Sequence, residues 1–135
     1  MAENEMVKEQ LTEAMIEAGA ELTVKLDEAG LPVTAALWFF IPEINEWRLL
    51  FASPEVSSKG PRKVYEQIQG AIEALGTKGD SVPLSIVGVL DADADLARSL
   101  KIAVRTAGHG VNKIRFSKNL INGQFIDDAL IYRAA

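Results

Sequence analysis

Cysteine is absent from the chain, and histidine occurs once, at His109. Without a thiol there is no disulfide framework, no cysteine nucleophile and no cysteine-ligated zinc or iron–sulfur site. Long apolar runs are missing too. The longest, Ala35 to Ile41, falls far short of the roughly 20 residues that a membrane-spanning helix needs. Positive charge is in deficit: 14 Lys and Arg stand against 19 Asp and Glu, for a net charge of −5. That balance works against adhesion to phosphate polymers and anionic membranes. Glycine-rich phosphate cradles of the dinucleotide-binding and P-loop types do not occur. The opening residues, Met1-Ala2-Glu3-Asn4-Glu5, are acidic where a secretory signal is basic. A cytoplasmic setting is therefore the expectation.

What remains is a chain of 135 residues, 48% hydrophobic and 24% charged. That is enough apolar material for one core, so residues 1–135 are expected to form a single globular domain. Val7, Leu11, Met15, Ala18, Leu22 and Leu26 recur at steps of three and four, which predicts a helix ended by Gly30 and Pro32. Gly19 interrupts the pattern. Residues 34–41 are apolar on both alternating sets, as in a strand buried on both faces. A turn-rich break at 42–46 and a second strand at 47–52 complete a hairpin.

Pro61 suits the first position of a helix whose buried stripe is Val64, Ile68, Ala71, Ile72 and Leu75, with Gly76 just beyond it. Residues 84–90 read as a third strand, central in the sheet. Asp93 or Asp95 is placed to cap a further helix running to about Ala107 on a stripe of Leu96, Leu100 and Val104. A strand near 112–118, the hairpin signal Asn122-Gly123 and a last strand ending near Tyr132 follow. The expected order is α-β-β-α-β-α-β-β. It implies an α+β fold with a mixed sheet of about five strands and three helices.

Three groups of residues invite a chemical reading. Asp91, Asp93 and Asp95 follow an apolar strand, a place where open sheets often bind ligands. The run Asp91-Ala92-Asp93 resembles the first motif of haloacid-dehalogenase-type phosphatases, in which a strand ends in Asp-x-Asp. The resemblance implies metal-dependent phosphate chemistry on Asp91 and Asp93, with Asp127-Asp128 in the later acidic role; His109, in a glycine-flanked loop, is a separate candidate for a general base or metal ligand. That family places Thr or Val where Asp95 stands, and carries a Ser/Thr and a Lys on a chain longer than the 40 residues that follow Asp95 here. Helix capping and dipole stabilisation account for the same acids without a ligand. His109, flanked by Gly108 and Gly110, reads most simply as a surface histidine.

The second group is Lys113, Arg115, Lys118 and Arg133, interleaved with Phe116 and Tyr132, as in a weak single-stranded nucleic-acid binder. The third is the first hairpin, where Trp38, Phe39, Phe40, Trp47 and Phe51 hold more than half of the aromatic residues. Three helices are too few to cover both faces of five strands, so surplus apolar surface is expected to meet a partner. The leading expectation is a non-enzymatic, homodimeric interaction module without cofactor or metal, contacting its partner through Trp38, Phe40, Trp47 and Phe51.

Overall fold

A computed structural model describes residues 7–135. Five strands form one mixed sheet in the order β3-β2-β1-β5-β4. They are β1 (Ala35–Ile41), β2 (Glu46–Ser53), β3 (Val87–Asp91), β4 (Ile114–Ile121) and β5 (Gln124–Ala134). Only β2 and β3 run parallel; the other neighbours are antiparallel. The helices are α1 (Glu13–Glu28), the single turn α2 (Glu55–Ser58), α3 (Pro61–Ala74) and α4 (Asp95–Ala103). The α+β class and the order of the main elements agree with the sequence expectation, α2 being an added turn.

Helix α1 begins at Thr12, whose Oγ1 accepts from the Met15 amide at 3.1 Å. It therefore starts later than the apolar stripe suggests, and Val7 lies outside it, 84% exposed. Its end is a Schellman motif. Leu31 N–H reaches Leu26 O, Gly30 N–H reaches Asp27 O, and Gly30 takes φ +83°. Helix α3 has Pro61 at its start, and Gly76 follows its capping residue with φ +65°.

Two expectations are corrected at β3. Leu84–Ile86 form a 3-10 turn after Pro83, so the strand begins only at Val87. It also lies at the sheet edge, where only Val87 is fully buried. The apolar run there meets one neighbouring strand instead of two. Helix α4 is shorter than expected and ends at Ala103; its N-cap is Ala94, and neither Asp93 nor Asp95 caps it through a side chain.

One sheet face carries Ala36, Trp38, Phe40, Trp47, Leu49, Phe51, Val87, Leu130 and Tyr132, and α1 and α3 cover it. On the opposite face Leu37, Ala129 and Ile131 pack under Leu100 of α4, and Ala35, Ala52 and Ala97 meet at its first turns. Small residues on both sides of that contact let α4 lie close to the strands.

Two irregularities decide which side chains point where. Opposite Ala36 and Leu37 the β1–β5 register shifts by one residue. At this bulge both Tyr132 and Arg133 reach α1, one bonding to Ile16 O and the other to Asp27. In the edge strand β4, Lys118 has φ +48°. Phe116 and Ala129 before it, and Ile121 and Ile126 beyond it, all join the cluster around Leu100. The Asn122-Gly123 turn, with φ +50° and +83°, closes this hairpin as a primed turn does.

Gly19 marks the closest approach of α1 to the sheet. A Cβ there would stand 2.5 Å from Tyr132 Oη and 2.8 Å from Trp38 Nε1. Trp38 Nε1–H donates to Tyr132 Oη at 2.9 Å, and Tyr132 Oη–H donates to Ile16 O at 2.6 Å. Burial pushes the Tyr132 phenol well above its usual pKa, against the indole hydrogen bond, so it stays protonated as this donor role requires. Gly→Ala in a free helix gains about 1 kcal/mol. Gly19→Ala is expected instead to cost about 1–3 kcal/mol through overpacking, and thermal unfolding of the two proteins measures the difference.

Candidate functional site

The acids after β3 do not form a cluster. Asp91 ends the strand, and its Oδ2 accepts from Ser57 Oγ of α2 at 2.7 Å. Asp93 is exposed, on a surface cleft shared with Arg98, Lys101 and Arg105. Asp95 is the first residue of α4 and adds negative charge at its N-terminus. His109 is exposed on another cleft, of about 510 Å³, lined by Asp27, Leu31, Val33, Glu55 and Ala135. Among the described residues, no three His, Asp or Glu side chains converge as metal ligands would.

Asp127 and Asp128 lie within β5. Asp128 is buried and accepts from every side. Arg115 donates to it bidentately through Nε and Nη2, both at 2.7 Å. Lys8 Nζ reaches Oδ2 at 2.7 Å and Ser117 Oγ reaches Oδ1 at 2.9 Å. Burial alone would raise the pKa of this carboxyl. Hydrogen bonds from Arg115, Lys8 and Ser117 outweigh it and hold the group well below the usual carboxylate range. Lys8 also lies 4.6 Å above the Phe40 ring and 5.6 Å from that of Trp47, and Arg115 stacks 5.6 Å over Trp47.

This arrangement dismantles the basic patch on the terminal hairpin. Arg115 is tied to Asp128, and Lys118 Nζ stands 3.6 Å from Asp127. Arg133 is 1% exposed, donating to both Asp27 oxygens at 2.8 and 2.9 Å, to Gly110 O and to Val33 O. Tyr132 is buried as well, and Phe116 packs on the opposite face from Arg115. Lys113 is exposed at the surface, as are Arg115 and Lys118, but the last two face acids on β5.

The expected contact residues are corrected by face. Trp38, Phe40, Trp47 and Phe51 are at most 4% exposed and form the core beneath α1 and α3. The other side of the same hairpin is where cover runs short. There Phe39, Ile41, Arg48 and Leu50 are only half-buried, with Gly88 beside Leu50 on β3. Magnitudes explain the shortfall. Five strands span about 19 Å from first to last axis at about 4.8 Å spacing. A single helix is roughly 10 Å across, and nine residues make it about 13.5 Å long. Helix α4 thus covers the Phe39–Leu50 strip only in part.

Sequence reasoning missed two features: the strip on the outer side of the hairpin and the Lys8–Asp128 contact. A signal existed for the second. Asp128 sits among Ile126, Ala129, Leu130 and Ile131, and an acid inside an apolar strand needs a partner. Compared with protein-family models, curated proteins and solved structures, the chain matches none.

Asp128→Asn is expected to lower stability by about 1–3 kcal/mol, less than for a fully buried pair because Arg115 and Lys8 are half-exposed. Because the folded-state pKa is depressed, the carboxylate contributes fully above its ordinary value near 4 and loses that contribution as pH falls below it. Urea titrations from pH 7 down to about pH 2 should therefore show a shallower acid decline in the Asn variant than in the wild type.

Proposed function

We propose that this chain is a non-enzymatic interaction module of the cytoplasm, and that it pairs with a second copy through the partly covered strip beside α4. The observation that supports this reading is the unequal cover of the two sheet faces. Helices α1 and α3 bury one face, while the nine residues of α4 leave Phe39, Ile41 and Leu50 only partly buried on the other. Burying such apolar surface yields roughly 25 cal/mol per Å². Ile102, 73% exposed on α4, adds apolar area on the same side of the sheet.

The charges around the strip favour a copy of the same chain. Glu46 and Arg48 lie on this face, joined at 3.1 Å along one strand. A two-fold interface brings residue i against j and j against i, so one cation beside one anion is self-complementary. The net charge of −5 argues against an acidic polymer as occupant. Among the described residues, no helix is long and apolar enough to cross a membrane.

Sedimentation at tens of micromolar tests the reading, with dimer as the expected species. Arg48→Glu places like charges across the axis and should weaken the dimer about tenfold, or about 1.4 kcal/mol. The swap Glu46→Arg/Arg48→Glu should restore it. A wild type that stays monomeric removes the proposal.

A further inference from the structure

Residues Val7 to Gln10 precede α1 as an extended strap, and the way they are held is that of a bound peptide. The Asn45 side chain meets their backbone twice: Oδ1 accepts from Glu9 N–H at 2.9 Å and Nδ2 donates to Val7 O at 3.1 Å. Trp47 Nε1–H donates to Glu9 O at 2.9 Å. None of these contacts depends on which side chains the strap carries. One side chain does reach into the surface. Lys8 Nζ bonds Asp128 at 2.7 Å, approaches Asp127 at 3.6 Å and lies over the Phe40 and Trp47 rings. Backbone contacts on either side of one lysine, with an acid and two aromatic faces around its ammonium, make a lysine-reading groove.

The walls of the groove have anchors besides the strap. Asp128 is 4% exposed and oriented by Arg115 and Ser117, Phe40 and Trp47 belong to the core, and Asn45 sits in the β1–β2 turn with φ +52°. The strap is lightly attached by comparison: Val7, Lys8, Glu9 and Gln10 are all exposed. A cavity of about 340 Å³ adjoins them, between Leu11, Trp47, Arg115 and Asp128.

We propose that this groove is a docking site for an extended, lysine-bearing peptide segment of another protein, and that the chain's own Val7–Gln10 occupies it in cis as a displaceable mimic. The site lies on the α1 side of the sheet, so it neither uses nor requires the partly covered strip beside α4.

The test uses the full-length chain and a capped synthetic peptide covering residues 7–14, Val-Lys-Glu-Gln-Leu-Thr-Glu-Ala. Lys8→Ala/Glu9→Pro disables the strap, since proline lacks the N–H that Asn45 accepts. Tryptophan fluorescence reports binding, because Trp47 contacts the strap whereas Trp38 is buried elsewhere in the core. The double variant should bind the peptide at least tenfold more tightly than the wild type, whose tethered strap competes at high effective concentration. Acetylating the peptide lysine, or replacing it by alanine, should abolish the signal. Asn45→Gly in the double-variant background should weaken binding while preserving the positive-φ turn. Equal binding of the lysine and alanine peptides, or no binding to the double variant at millimolar peptide, overturns the proposal. Sedimentation of the same variant separates this outcome from failure of the dimer.

Discussion

The bulge in β5 holds the molecule in register. Because one extra residue is inserted opposite Ala36, Tyr132 and Arg133 both reach α1 from adjacent positions. Tyr132 anchors the middle of that helix through Ile16 O, and Arg133 anchors its end through Asp27. Arg133 also gathers Val33 O and Gly110 O, so one guanidinium joins the α1–β1 connection to the loop before β4. A buried cation is tolerable only with such full satisfaction. The glycine in the middle of α1 follows from the same constraint, since it lets the helix axis descend onto the phenol and the indole.

How much of this was legible depends on whether the signal was local. The Schellman end of α1 at Gly30, the proline start of α3 and the Asn122-Gly123 turn each follow from a few neighbouring residues, and each appears where expected. The burial of most of β1 on both faces also followed, because both alternating sets of its residues are apolar. Failures were long-range. Nothing near residues 84–90 says that the strand will sit at an edge. The bulge at Tyr132 and the left-handed Lys118 change the alternation on which a facing argument rests. Arg133 looked like a surface cation because its acceptors lie far away in the chain, at Asp27, Val33 and Gly110.

The candidate sites follow the same division. Aromatic density in the first hairpin was visible, but its division between two faces, one sealed by two helices and one half-covered, comes only with the register. The acids after β3 take separate structural places, Asp91 hydrogen-bonded to Ser57 and Asp95 at the start of a helix. Asp128 gains importance for the opposite reason. Placed in a strand among apolar neighbours, it draws a guanidinium, an ammonium and a hydroxyl onto one carboxylate, and that convergence shapes the surface around Trp47.

The left-handed kink at Lys118 bears on how this protein behaves when crowded. Strand β4 closes one side of the sheet, and a straight rim of free amides and carbonyls would be a template for strands of neighbouring molecules. A charged residue held at φ +48° breaks that rim in the middle, and Leu120 and Phe125, 67% and 59% exposed, lie past the break. An irregularity of this kind in an edge strand disfavours strand addition. The same break separates Leu120 and Phe125 from the regular part of the edge.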